Sequence, residues 1–423
     1  MKKGVKIRFV IFKILLEIYK HNASFENIFN SQSSLNNFSK RDKSLINNVC
    51  LNSMRYKFHV DKIIKKYLKK KSKKNQYILL LSSITQIVFL DFKDYAVVDS
   101  SVEIAKKINV YPGLINAVLK KICIEKIKLK QTKVFFKDFP EWFKKYAENL
   151  DIRKKIQFEN NYYKTPSLHL VFKSEQALKY FREKYVASST RSAFLTESKQ
   201  IELINNYKKG DWWLQDFSSM LSLDLTLDLK NKNIIDLCSA PGGKAFQAIS
   251  QGGHVTLNDK NKKRIIILKK NLKRLNFKNH IINEDVFNLP IKKKFDFIIL
   301  DSPCSAIGTI RRNPEIFYKK KGPDINALVT LQRKLLQKAS LLVNKKGILL
   351  YMVCSFFYKE SLEQMKYFLS KNNNFSILKF DKIERYSEIN TFIDTKGYIL
   401  IPPTTYKKFF IDGFFGVRFI KND

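Results

Sequence analysis

The sequence predicts a chain of several domains. An all-α N-terminal region comes first, then a small α+β segment, then a C-terminal α/β region on a doubly wound parallel sheet. Apolar residues recur at helical spacing from residue 5 to 130, with no turn-dipeptide rhythm of a sheet. From residue 211 onward short apolar runs alternate with amphipathic ones, as strands do with helices. A Gly-containing turn, Asp236 to Lys244, lies between an apolar run and a helix start. A chain of 423 residues is long enough for two or three cores.

In chain order, helical spacing covers Ile7–Tyr19, Lys43–Phe58, Val60–Leu68, Gln76–Phe89 and Val98–Lys107. Ser44 is a candidate cap for one helix, and Asp99 or Ser100 for another. Lys69 to Lys74 is a basic loop, read either as a solvated connection or as an RNA-backbone contact. Pro112-Gly113 interrupts the pattern, and Leu114–Ile127 resumes it. Met1-Lys2-Lys3 before Phe9 to Phe12 looks like a signal start. Lys13 and Glu17 interrupt the apolar run, so an amphipathic first helix is expected. This region is bounded at 1–134.

Residues 135–210 form the small mixed segment. Pro140 precedes an amphipathic run that ends near Phe158, Leu168–Phe172 reads as a strand, and Ser174–Tyr185 as a helix. Residues 211–423 carry the alternating pattern. Strands are expected at Asn233–Leu237, His254–Asn258, His280–Asn283, Phe295–Leu300 and Gly347–Val353. Helices are expected at Lys262–Leu275, Asp324–Leu342 and Lys359–Ser370. Ligands of such folds sit beyond the carboxyl ends of the strands. Asp236, Asp259, Asp285, Asp301 and Cys354 fall there. A single Asp after a strand is often a turn residue or a cap; the succession points to a site. The Asp236–Lys244 turn fits that place, because glycine allows close backbone approach and helix amides favour an anionic group. It is neither a G-x-G-x-x-G fingerprint nor a Walker A loop.

Composition narrows the function. Lys+Arg 79 against Asp+Glu 38 gives a net charge of +41, which favours a polyanionic partner, with nucleic acid the default. Codon bias toward Lys, Asn and Ile is the competing explanation. The five cysteines contain no C-x-x-C pair, which argues against a disulfide framework or a zinc site and for a reducing, cytoplasmic compartment. No stretch reaches the length of a membrane span.

Four segments, DLCSAPGGK, LNDKNKKR, FDFIILDSPCSAIGTIRRNPE and LLYMVCS, occur in an order and spacing that resembles the RNA cytosine-5 methyltransferases. The chain looks like the bacterial RsmB/Sun (Fmu) type, which modifies small-subunit ribosomal RNA. Val102–Lys107 and Gly113–Lys121 resemble that family's NusB-like helical RNA-binding domain. Trp212–Asp216 resembles its lead-in to a Rossmann-like methyltransferase domain, and Asp412–Phe415 its closing strand. The sequence departs from the pattern at Leu168–Phe172, Glu284, Ser302 and Val353.

The resemblance implies roles. Cys354 would be the nucleophile that adds to carbon 6 of the base. Alone, a cysteine at a strand end reads as a core residue. Cys304 would help remove the carbon 5 proton and release product. Asp301 would contact the flipped base and line the cofactor site. S-adenosylmethionine would be held by Cys238, Ser239, Ala240, Pro241, Gly242, Gly243 and Lys244, with Asp259 on the ribose and Asp285 at the adenine edge. Arg311 and Arg312, by charge, read as phosphate contacts or as a solvated turn. No metal is implied. Other readings of the chain are a tRNA cytosine-5 methyltransferase, a non-catalytic RNA-binding or ribosome-assembly protein, and a small-molecule methyltransferase.

Overall fold

The helical spacing of the N-terminal region translates directly into buried faces. In α1 (Lys3–His21), Ile7, Val10, Ile11, Ile14, Leu15 and Ile18 are buried. The computed structural model describes residues 2–21, 23–70, 72–197, 199–226, 228–319, 321–382 and 386–422. By compactness the chain forms two units. The first is Met1–Lys164 with Ile310–Pro323, and the second is Thr165–Thr309 with Asp324–Asp423.

In the first unit α1 is followed by α2 (Phe25–Ser31), α3 (Lys40–Arg55), α4 (Lys57–Tyr67), α5 (Lys74–Ile84), α6 (Asp94–Lys107), α7 (Pro112–Lys130), α8 (Glu141–Tyr146) and α9 (Ile152–Asn161). The apolar faces of α1 to α7 share one core, which includes Tyr318 from the later segment. Several expected boundaries move. Ser39, not Ser44, caps α3, accepting from Asp42 N at 3.2 Å while its hydroxyl donates to the Asp42 carboxylate at 2.7 Å. The run Lys43–Phe58 breaks at Tyr56, where α3 ends and α4 begins. Asp99 and Ser100 are interior to α6, which starts at Asp94; Ser100 Oγ bonds back to Ala96 O at 2.6 Å. Pro112 opens α7 rather than interrupting it, because the first turn needs no amide from it. The run after Pro140 is two helices, since Asp151 caps a new one by accepting from Lys154 N at 2.9 Å. Met1, and Lys71 of the basic loop, lie outside the described residues. Among the described residues no helix is long and apolar enough to cross a membrane.

The second unit begins with β1 (His169–Phe172), α10 (Glu175–Lys179), β2 (Tyr185–Ser189), β3 (Ser192–Leu195) and β4 (Trp212–Leu214). These strands form an antiparallel sheet in the order β2-β3-β1-β4. The helix expected over Ser174–Tyr185 stops at Lys179. Phe181 is buried against Phe172, with ring centroids 5.0 Å apart, and the chain then extends into β2.

Then come α11 (Phe217–Asp224), β5 (Asn233–Asp236), α12 (Gly243–Ser250), β6 (His254–Asn258), α13 (Lys262–Arg274), β7 (Ile281–Ile282) and β8 (Phe295–Asp301). α14 (Glu315–Tyr318) belongs to the first unit. The remainder is α15 (Ile325–Ser340), β9 (Val343–Val353), α16 (Leu362–Lys371), β10 (Phe375–Ile377), β11 (Tyr398–Ile401), β12 (Thr404–Tyr406), β13 (Phe409–Ile411) and β14 (Phe414–Lys421). The large sheet runs β10-β14-β9-β8-β5-β6-β7, with β11 also on β14. Strands β7, β6, β5, β8 and β9 are parallel, but β14 lies antiparallel to β9, and β10 and β11 antiparallel to β14. The expected all-parallel sheet is therefore mixed: after β9 the chain returns against it instead of crossing over again.

Side chains of the central strands alternate between two cores. Phe297, Ile299, Leu350 and Met352 enter one, and Ile298, Leu300, Leu349, Tyr351 and Val353 the other. Strand order reverses at β5, with β6 on one side and β8 on the other. The loops that leave β5, β8 and β9 open at this switch point, where such sheets hold ligands.

Candidate active site

Cys304 and Cys354 face each other, with Sγ to Sγ 3.3 Å. Cys304 lies just beyond β8 and Cys354 immediately after β9, on neighbouring parallel strands. Both are half-buried. The hydrogen bond with Cys354, reinforced by burial, pushes the Cys304 thiol well above its ordinary pKa. Cys304 is thus held protonated, and either thiol can donate in the contact. Backbone fixes the rest of the loop: Gly308 N donates to Cys354 O at 3.0 Å, and Gly413 N to Gly308 O at 2.8 Å. A Cβ at Gly308 would come 2.0 Å from Gly413 O, so only glycine fits.

A residue that sequence reasoning missed holds the two loops together. Glu360, fully buried, accepts from Ser305 N at 2.8 Å, Ser305 Oγ at 2.5 Å, Ser355 Oγ at 2.7 Å and Gln332 Nε2 at 3.1 Å. Ser305 follows Cys304 and Ser355 follows Cys354, so one carboxylate ties both cysteine loops. Gln332 also donates to Pro303 O at 3.0 Å, and Tyr351 OH to Glu360 O at 2.8 Å. The sequence offered one signal only, a lone acid after the apolar Phe356-Phe357-Tyr358.

The β5 loop supplies the next layer. Its peptide bond Ala240–Pro241 is cis, and Gly242 has φ +119°, where a Cβ would collide with the Phe246 ring. No side chain caps α12, and its first turn carries no acid. Ser239 N donates to Asn258 O at 2.9 Å, and Cys238 N to Asp236 Oδ1 at 3.3 Å. The Lys244 ammonium pairs with Asp301 at 2.6 Å. Burial alone would lower the Lys244 pKa; Asp301, with smaller contributions from Cys354 and Asp236, raises it instead. Its side chain therefore neutralises Asp301, a contact the sequence reading, which used Lys244 as part of a loop, did not include. Burial, helped by the Asp301 charge, pushes Asp236 up to about 8.

The remaining predicted residues are placed unevenly. Asp285 is half-buried, accepting from Phe287 N at 3.2 Å and pairing with Lys260 at 3.4 Å. Asp259 is only 3% exposed. Its oxygens accept from Asn261 N at 2.9 Å and Ala240 N at 3.3 Å, and Arg264 lies 3.3 Å away. Arg311 and Arg312 fall in the first unit. Arg311 is fully buried, and its carbonyl accepts from Arg55 Nε at 2.9 Å. The phosphate contact read for Arg311 is corrected accordingly, since a buried guanidinium does not present itself to a polyanion. Among the described residues no cluster of His, Cys, Asp or Glu is arranged to hold a metal.

A family profile for the 16S rRNA methyltransferase RsmB/F matches residues 224–419, and one for the NusB family matches residues 5–123. Residues 224–419 thus carry an RsmB/F-type methyltransferase domain. The chain is therefore a methyltransferase, with a NusB-type helical region ahead of the catalytic sheet. The ribosomal RNA small subunit methyltransferase B of Proteus mirabilis is 27% identical to it, over 88% of this chain and 93% of its own. The protein of that name from Pasteurella multocida is 28% identical, over 78% and 80%. Among solved structures, that of PH0851 aligns with all of this chain and 99% of its own at a TM-score of 0.72 and 20% identity. NSun6 from Pyrococcus horikoshii, solved with SFG, covers 67% of this chain and 99% of its own at a TM-score of 0.56 and 17% identity. These likenesses show that the fold is shared.

Proposed function

We propose that the protein methylates carbon 5 of a cytosine in RNA, 16S ribosomal RNA by the names of its relatives, using S-adenosylmethionine and a covalent bond from Cys354 to carbon 6. The observation that carries this reading is the 3.3 Å contact between two thiols at the ends of adjacent strands, one of them held protonated.

Carbon 5 of cytosine is a poor nucleophile. A thiolate adding to carbon 6 forms a carbon–sulfur bond and pushes the ring electrons toward carbon 5, which gains enamine character. Cys354 suits that step, because the Cys304 thiol lies against it and the Lys244 ammonium interacts with it. Once Cys354 is bonded to carbon, its hydrogen bond with Cys304 is gone, and with it the largest cause of the raised Cys304 pKa. Cys304, its own proton released to solvent, then takes the carbon 5 proton. The electron pair re-forms the 5,6 double bond as Cys354 leaves as thiolate. Asp301, held by Lys244, contacts the base, which must leave its stack to expose a ring face.

The β5 loop fits the cofactor. An uncapped helix start without acid suits the methionine carboxylate. Backbone from Cys238 to Lys244 would hold that end, and half-exposed Asp285 would reach the adenine edge. Asp259 would meet the ribose hydroxyls in the place that Arg264 now takes. S-adenosylmethionine supplies an electrophilic methyl group there. In this reading residues 1–134 engage RNA, 135–210 join the two functions, Arg312 contacts phosphate, and 211–423 carry the chemistry.

Separating the roles of the cysteines tests the reading. Cys304→Ala is expected to accumulate a protein–RNA adduct that survives denaturing electrophoresis. Cys354→Ala and the double variant are expected to form none and to transfer no methyl. A trapped band with Cys354→Ala would exchange the roles. Active wild type with no band from either variant would refute the covalent route.

A further inference from the structure

The first unit contains a cavity of about 770 Å³ that the chemistry above does not use. It lies where the start of α4, the chain leaving α7 and the end of α9 meet, and its volume falls within the usual range for small-ligand sites. Aromatic side chains form one wall. Tyr56 and Phe89 stack at 4.2 Å with planes 7° apart. Tyr163 meets His59 edge-on at 4.7 Å and lies 5.5 Å from Tyr56. Tyr56, Phe89 and Tyr163 are only part-buried, so ring surface faces the cavity they line.

His59 gives the wall a polar point. It is 4% exposed and lines the cavity. Its Nδ1 lies 3.3 Å from Tyr162 OH, and Nε2 makes no hydrogen bond among the described residues. Burial, with Lys62 and Lys164 nearby, brings its pKa down to about 4, so the ring is neutral at physiological pH. A neutral imidazole with one nitrogen available suits the edge of an uncharged heterocycle.

The rim is basic. Lys133 and Lys164 make no ion pair among the described residues, and the Lys164 ammonium lies 4.8 Å from the Tyr163 ring centre. Lys130 pairs with Asp91 at 2.8 Å. The acid in the lining, Glu159, is engaged by Phe136 N at 2.5 Å. Flat ring faces, one neutral hydrogen-bonding group and unpaired ammonium groups at the mouth are the combination that single-stranded nucleic acid uses: bases stack while the backbone follows the charge. An acidic peptide would use the lysines but has no heterocycle for the rings.

We propose that this cavity binds one unpaired nucleotide of the RNA substrate, its base against Tyr163 and His59 and its phosphates on Lys133 and Lys164. The proposal rests on the reading that the substrate is RNA. It adds a second grip on the strand, separate from the pocket for the cytosine that reacts.

The test uses the full-length protein and a single-stranded RNA oligonucleotide carrying 2-aminopurine, beside the same RNA annealed into a duplex. Wild type is expected to prefer the single strand and to quench the 2-aminopurine. Tyr163→Ala is expected to weaken single-strand binding roughly 10-fold, with little change for duplex, and to lose the quench. Tyr163→Phe keeps the ring and should restore both, which separates stacking from a folding defect. Lys133→Ala with Lys164→Ala should flatten the salt dependence by roughly one unit of slope per lysine. Wild type that binds RNA while Tyr163→Ala matches it on both RNAs would overturn the pocket alone. Equal losses on single strand and duplex would also overturn it, leaving a phosphate contact. Wild type that binds no RNA, or only an acidic peptide at this face, would overturn the RNA reading itself.

Discussion

The two units satisfy their buried polar groups differently. In the helical unit the buried hydroxyls of Ser53 and Thr85 bond to carbonyls one turn back on their own helix, at Val49 and Leu81, at 2.7 and 2.8 Å. In the α/β unit several buried amides and a carboxylate bond across elements. Asn258 on β6 donates to Leu237 O beyond β5 at 3.1 Å, Gln247 on α12 to Met220 O on α11 at 3.1 Å, and Glu360 gathers two loops and α15. A local bond closes on a helix that would form without it. A cross-element bond sets where one loop stands relative to another, and a cysteine pair depends on that. The bonds of Ser53 and Thr85 are therefore of the dispensable kind, and those of Glu360 of the decisive kind.

Glu360→Gln should show the contrast at its largest. The amide cannot accept where its NH2 faces Ser305 and Ser355. Stability should fall by about 1–3 kcal/mol, and methyl transfer by more than the folded fraction explains, roughly 10- to 100-fold at saturating substrate. Chemical denaturation beside single-turnover assays measures both. Unchanged turnover per folded molecule would mean the cysteine loops hold their places without this carboxylate.

Asp236 gives an effect of intermediate size, visible in its pH dependence. Its folded pKa, about 8, lies above the unfolded value near 3.8. Unfolding therefore releases the proton between those limits. This contribution to stability is complete below about pH 4, declines as pH rises toward 8 and is flat beyond. Asp236→Asn, which keeps an oxygen for Cys238 N, should match wild type near pH 4 and exceed it by about 1–3 kcal/mol at pH 8. Parallel urea midpoints across that range would show that the carboxyl is ionised in the folded protein.

Ser53→Ala marks the small end. Losing a bond to its own helix should change stability by less than about 1 kcal/mol, read as a small shift in the thermal midpoint. A larger loss would mean that buried hydroxyls matter equally in both units.

The same contrast explains what could be read from the sequence. The β6 strand and the helix α13 were legible because apolar period and residue type agree there. Asp301 and Cys354 were legible as polar residues closing apolar runs. The sheet of β2 and β3 was not. Its buried Ser188, Ser189 and Ser192 look like loop residues until one sees Ser188 and Ser189 each bonded to Ser192 at 2.8 Å, and Ser188 to His169 at 2.7 Å. Glu360 was missed for the same reason: its partners come from distant positions, and no spacing rule marks them. Ser44 misled because its hydroxyl has the right chemistry for a cap, yet Ser39 sits one turn earlier with Asp42 beside it.

The helical unit is discontinuous, and that gives synthesis an order. Tyr318, buried in its core, donates to Leu15 O at 3.0 Å, and Phe317 stacks on Phe139 at 5.4 Å. These residues leave the ribosome about 150 residues after Lys164, a delay of roughly 8–30 s at bacterial elongation rates. The last pieces of the domain made first arrive only after four of the eight strands of the large sheet have been translated.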